Sequence, residues 1–174
     1  MPVDIEITKT LAAKKVIKIQ GSNIKPDNKL PDGFIVHETD TSDKNIYIIS
    51  DTDVIPSNIL IYEGTKGYGS IVFPEGIKTI GTTGKLINNN GNEYVENISI
   101  HLPESLESIN TQAFYSVVLK TLRIPCSVKN IGSKCFAALE STTPLEVILE
   151  GKNTLNSYDD VFFAVAKSVA SKTE

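Results

Sequence analysis

Leu119-Lys-Thr-Leu-Arg-Ile-Pro-Cys-Ser-Val-Lys-Asn-Ile-Gly-Ser-Lys-Cys-Phe136 is the fullest copy of a motif that this chain repeats. Its middle returns as Pro74-Glu-Gly-Ile-Lys-Thr-Ile-Gly81 and as Pro103-Glu-Ser-Leu-Glu-Ser-Ile-Asn110, and a fainter copy runs toward Leu155. Each copy gives a proline, any residue, a small residue, an aliphatic, two polar residues, an isoleucine, then Gly or Asn. A motif returning at this period predicts a solenoid of stacked coils. Architectures of that kind bind or scaffold more often than they catalyse.

Each copy carries two strand-like pieces. The first precedes the proline: Ile71–Phe73, Ile98–Leu102, Leu122–Ile124 and Val147–Leu149. Side chains alternate across a strand, which turns Ile71, Phe73, Ile100, Leu102, Leu122 and Ile124 inward and Val72, His101 and Arg123 outward. Proline has no N–H to donate, so it ends the ladder and turns the chain. The second piece holds Ile77/Ile80, Leu106/Ile109 and Val128/Ile131, which are expected to stack in columns. Lys78, Glu107 and Lys129 lie between them and would alternate in sign from coil to coil, setting register. Phe114 and Phe136 are expected to fill the wide side of the coil. Cys135 takes the place of Ala113 as a small buried apolar group, while in the first repeat that slot falls on Gly84 and no Phe follows.

Insertions interrupt the period on one side. From the signature Ile to the next inward strand residue there are 20 positions (Ile80 to Ile100), 13 (Ile109 to Leu122) and 17 (Ile131 to Ile148). The extra residues, Ile87–Tyr94 and Glu140–Pro144, would emerge on one rim. They are either a binding edge or tolerated loop drift. The candidate partner-binding residues are therefore Asn88, Asn89, Asn90, Asn92, Tyr94, Thr142 and Thr143 on the rim, with His101 and Arg123 on the outward strand face.

The flanks read differently. Leu30–Asp40 and Asn45–Ser50 are two β-rich runs around a polar turn, a hairpin signature. Asp159–Ser171 carries Val161, Val165 and Val169 at every fourth residue, with Ser157 and Asp160 spaced as a capping box. A C-terminal helix is predicted there, capping the open end of the solenoid or meeting symmetry mates. Residues 1–53 are expected to form a small β module for attachment or homo-oligomerisation, and residues 54–174 the solenoid with its cap.

The bulk properties exclude several classes. The 174 residues suffice for a core without staples, and a net charge of −4 argues against a nucleic-acid binder. Lys9, Lys14, Lys15, Lys18, Lys25 and Lys29 make the first thirty residues locally basic, read as a solvated face rather than an anchor. Two cysteines and two histidines cannot complete a zinc set of ordinary spacing. No run of apolar residues is long enough to span a bilayer. The start at Met1, with Val3, Ile5 and Ile7 alternating with Asp4 and Glu6, lacks the layout of a signal peptide. Gly64–Gly69 contains Lys66 but lacks P-loop spacing, and His101 beside Arg123 reads as a solvated face rather than an acid–base pair. No enzyme activity, cofactor or metal is expected.

The motif over residues 119–136 resembles the BspA-like leucine-rich repeat family, whose repeat runs L-x-x-I-x-I-P-x-S-V-x-x-I-G-x-x-A-F. The departures are Leu122 for Ile and Cys135 for Ala, and the resemblance covers residues 70–155 or so. It implies a mainly β leucine-rich-repeat solenoid. It further implies a secreted or surface-displayed protein that binds partner proteins or host surfaces, without catalytic residues. The N-terminal pieces Lys25-Pro26, Pro31–Gly33, Glu38–Thr41 and Tyr47 are similar to a short module of bacteriophage virion proteins. That similarity implies a virion appendage, head fibre or decoration protein. Its N-terminal module would engage a capsid or other virion protein, and its repeats a host surface protein or glycan. The alternative is a bacterial cell-surface or secreted adhesin.

Overall fold

A computed structural model of the chain describes residues 14–38, 45–64, 67–137, 144–151, 161 and 167–172. Its elements are all strands. The N-terminal set is β1 (Lys15–Gly21), β2 (Ile24–Pro26), β3 (Ile35–Glu38), β4 (Ile46–Ser50), β5 (Val54–Ile55) and β6 (Leu60–Tyr62). The repeats add β7 (Gly69–Val72), β8 (Thr79–Ile80), β9 (Ile87–Asn88), β10 (Ile98–His101), β11 (Ser108–Ile109), β12 (Thr121–Ile124), β13 (Asn130–Ile131), β14 (Leu145–Glu150) and β15 (Lys167–Lys172).

The coils stack in the expected register. A four-stranded parallel sheet runs β13-β11-β8-β5 and aligns Ile55, Ile80, Ile109 and Ile131 in one file. The first three are buried and Ile131 is half-buried at the end. The file begins one coil earlier than the repeat motif does, because Ile55 lacks the preceding proline signature but keeps the register. Each repeat proline opens a turn: the N–H groups of Leu106 and Val128 bond the carbonyls of Pro103 and Pro125, both at 3.1 Å. In the first copy the corresponding turn places Gly76 at φ +94°, a backbone region that glycine enters without strain.

Behind these turns lies a continuous apolar core. Phe114 and Phe136 stack at 5.3 Å between ring centroids, and Phe73 meets Phe114 edge-on at 6.3 Å. The aromatic file has a non-aromatic predecessor. Leu86 donates to Ala113 O as Phe114 donates to Cys135 O, so Leu86 rather than a residue beside Gly84 fills the first coil's slot. Gly132 makes its own close approach: a Cβ there would lie 2.2 Å from Thr111 N.

The N-terminal strands join the repeat strands. β3 and β4 pair antiparallel as the expected hairpin, with Ile35 opposite Ile49. β1 pairs antiparallel with β4 on one side and with β7 on the other, Ile19 facing Ile71. The result is a five-stranded sheet in the order β10-β7-β1-β4-β3. β2, β6 and β9 form a further three-stranded sheet.

The C-terminal helix is not what the described residues form. Lys167–Lys172 is a strand, parallel to β14 across six residue pairs, with Val147 opposite Val169. The physical reason is the open edge of β14, whose backbone groups are satisfied by another strand and not by a helix. Val161 is buried, and its carbonyl accepts from Phe136 N at 3.0 Å, as Cys135 O accepts from Phe114 N one coil earlier. The chain thus extends the solenoid where a cap was expected. The proposed capping box, Ser157 with Asp160, lies outside the described residues, as does Val165.

Candidate functional site: a split in the repeat face

The strands that precede the prolines should form one ladder, but they form two. β7 and β10 pair in parallel in one sheet, and β12, β14 and β15 pair in another. Upstream, the same coils are still joined by a parallel bridge between Val95 and Val117. Among the described residues no strand pairing joins β10 to β12. Two neighbouring clefts open along this split, of about 350 and 310 Å³, both lined by Ser99 and Thr121.

The outward parity of the strands supplies the side chains. Ser99 and His101 stand on β10, Thr121 and Arg123 on β12. On one lip the Tyr68 hydroxyl bonds Ser99 Oγ, and Ser99 Oγ lies 3.4 Å from His101 Nε2. On the other lip Arg123 pairs with Glu150 at 3.1 Å. Tyr68 is 58% exposed, a large aromatic surface at the mouth of the upper cleft.

The lower end is crowded with carboxylates. Glu75 accepts the backbone N–H groups of Glu104 and Ser105 at 2.8 and 3.1 Å. Partial desolvation, followed by the charge of Glu150, a hydrogen bond with it and the charge of Glu75, pushes the Glu104 pKa up from 4.5. The Lys78/Glu107/Lys129 row on the other strands behaves oppositely. Lys78 lies 3.0 Å from Glu107, and the hydrogen bond and charge of Lys78, with the charge of Lys129, hold the Glu107 carboxyl below its ordinary value.

The sequence-derived residues divide into two groups. His101 and Arg123 come together at the lower cleft. Asn88 to Tyr94 form a separate rim loop that bonds mainly to itself. Asn88 Oδ1 accepts from Asn90 N at 2.9 Å, Asn92 Nδ2 donates to Asn89 O at 2.9 Å, and Asn89 Nδ2 donates to Glu93 O at 3.2 Å. Asn88 itself belongs to β9, and Tyr94 is half-buried. Thr142 and Thr143 lie outside the described residues. Tyr68, Ser99, Thr121 and Glu150 were missed. Ser99 and Thr121 share the outward parity of His101 and Arg123, so the period-two reading already contained them; Tyr68 and Glu150 are brought in by pairing alone.

Among the described residues no cluster of His, Cys, Asp or Glu has a metal-holding arrangement, and no helix is long and apolar enough to cross a membrane. A family model described as "BspA type Leucine rich repeat region (6 copies)" matches residues 39–141 and 85–171. No curated protein and no solved structure matches the chain.

Proposed function

The chain belongs to the BspA-type leucine-rich repeat family, and on that premise we propose that it is a non-enzymatic display module which holds a protein-binding face away from the body that carries it. The observation that carries this reading is the split repeat face. It combines an exposed tyrosine, hydroxyls, a guanidinium and carboxylates along one open groove on a stiff stacked core. Solenoids present such extended surfaces to partner proteins, and the family match points to protein binding or adhesion.

In this reading the N-terminal strands attach the module and the repeats face outward. The carrier we favour is a virion, with the protein as an appendage, head fibre or decoration; the β3–β4 hairpin supports it, standing where the virion-like segment was read. A cell-surface or secreted adhesin is the second reading, and family membership supports that one. Mass spectrometry and antibody labelling of purified particles test the first. Stoichiometric copies on particles are expected, whereas the chain on intact cells and absent from particles selects the adhesin. Turnover of any substrate that His101→Ala abolishes would remove the non-enzymatic reading altogether.

A further inference from the structure

The upper cleft offers side chains and not strand edges. β10 and β12 come within 8 Å of each other between Cα atoms, whereas a strand bonded to both would hold them about 9.5 Å apart. A ligand at the split therefore lies on the outer face and is recognised by what projects from it.

Tyr68 supplies a platform there. Ile71 and Phe73 turn inward and are buried, so alternation puts Tyr68 on the opposite, outer face. β7 and β10 pair with Gly69 beside Ile98 and Ser70 beside Ser99. The Tyr68 hydroxyl nevertheless bonds Ser99 Oγ, two residues beyond the level of Tyr68 itself. The phenol thus runs aslant across the outer face, held at both ends, and it is still largely exposed. A ring fixed in this way gives a ligand contact area at little cost in side-chain freedom.

Polar groups of both signs surround the ring. Glu96, Asn97 and Lys120 line the cleft together with Ser99 and Thr121. Among the described residues the side chains of Glu96, Asn97 and Lys120 have no hydrogen-bond or ion-pair partner. One carboxylate and one ammonium cancel, so the cleft selects neither an anion nor a cation. It presents a mixture instead: the carboxylate accepts, the ammonium donates, and the amide and hydroxyls do both. A ring that carries an apolar face and hydroxyls that both donate and accept matches this set, and a pyranose is such a ring. At about 350 Å³ the cleft lies at the small end of ligand sites, which suits a sugar ring and not a folded segment.

We propose that the upper cleft binds a neutral pyranose, as the terminal sugar of a glycan, with its C–H face on Tyr68 and its hydroxyls bonded by Glu96, Asn97 and Lys120. The site goes beyond the protein-binding reading of the repeats and stands on the cleft, whichever body carries the chain.

The test is an NMR titration of the full chain, with amide and aromatic signals resolved. The neutral probes are methyl β-glucoside, methyl β-galactoside, lactose and cellobiose. Glucuronate, glycerol and the blocked peptide acetyl-Ser-Val-Lys-Val-Ser-amide are the comparisons. A neutral sugar is expected to shift the Tyr68 ring signals and the amides of Asn97, Ser99 and Thr121, saturating in the millimolar range. Tyr68→Ala should weaken it about fivefold or more, and Tyr68→Phe, which keeps the ring, about twofold or less. Both variants should melt like the parent, because the ring is exposed. Glu96→Gln leaves the Lys120 charge unbalanced, so glucuronate should gain about threefold in that variant.

Silence of these residues toward all four neutral sugars at tens of millimolar would overturn the site. So would an equal response to glycerol, or sugar binding that Tyr68→Ala leaves unchanged. Shifts caused by the peptide, with the sugars silent, would make Tyr68 a protein contact and overturn the sugar site while leaving the display reading intact. Loss of the display reading would appear separately, in the particle and cell experiments.

Discussion

Replacing Cys135 with aspartate tests the core on which the repeat face stands. The thiol is fully buried next to Phe136, where its backbone carbonyl receives Phe114 N at 2.9 Å. Desolvation pushes its pKa from 9.0 up to about 12. At about 1.36 kcal/mol per decade of acidity, placing a negative charge in that slot costs about 4 kcal/mol. An aspartate can avoid the charge by binding a proton, but with an ordinary pKa near 3.9 that route also costs about 4 kcal/mol at pH 7. Either way the loss is a large part of the roughly 5–15 kcal/mol that holds a domain together. It corresponds to roughly 8–16 °C in melting temperature for a chain of this size. The new carboxyl has a raised folded pKa, so the folded state holds its proton more tightly than the unfolded one. The ionic part of the penalty is therefore absent below about pH 4, grows as pH rises, and is complete above about pH 7. Denaturant unfolding at both pH values, with Cys135→Ala as the neutral control, separates charge from packing. The control fits because Ala113 fills the same slot one coil earlier, and it should cost about 1 kcal/mol. An aspartate variant as stable as the parent at pH 7, or one equally weakened at both pH values, would refute the buried-slot argument.

Three further outcomes are expected. Gly132→Ala should destabilise by about 1–3 kcal/mol through collision with Thr111 N, whereas Gly33→Ala, with open space at its Cβ and φ +89°, should lose only about 1 kcal/mol of backbone strain; equal losses in thermal melts would contradict the close approach. Replacing Asn89–Asn92 with a Gly-Ser link should change stability by about 0.5 kcal/mol or less, while Ile87→Ala, in β9 and buried, should cost about 2–5 kcal/mol; calorimetry that finds the loop replacement unfolded would place the rim in the core. The depressed pKa of Glu107 means that its contribution is present above the ordinary carboxylate value of 4.5 and fades as pH falls through the lower folded value. A stability difference between the parent and Glu107→Gln should therefore shrink on acidification, and one that stays constant would argue against the Lys78 and Lys129 contacts.

Much of this architecture was legible because side-chain periodicity is local. Ile80, Ile109 and Ile131 share a motif position and share a file. Phe114 and Phe136 stack as the motif placed them, and Lys78 meets Glu107 as their order required. His101 and Arg123 were found by strand parity and do meet at one cleft. The failures share a cause. Val161, Val165 and Val169 carry a helical period, but a strand edge at β14 outweighs weak helix propensity in valine. Ile55 was not recognised as the first coil of its file because its register depends on β8 beside it and not on a proline of its own. Tyr68 had no motif at all, since what brings it to Ser99 is the pairing of β7 with β10.

The order of residues by itself determined the coil: which side chains turn inward, where prolines turn the chain, and which columns stack. Those properties follow from alternation along a strand and from turn chemistry within a few residues. Only the tertiary structure decided which strand edges meet. It joined β1 to β7, laid β15 against β14, and left β10 and β12 unpaired with a groove between them. A backbone N–H or C=O is the same group in every residue, so its choice of partner is set by the packing of distant segments and cannot be read from the side chains beside it.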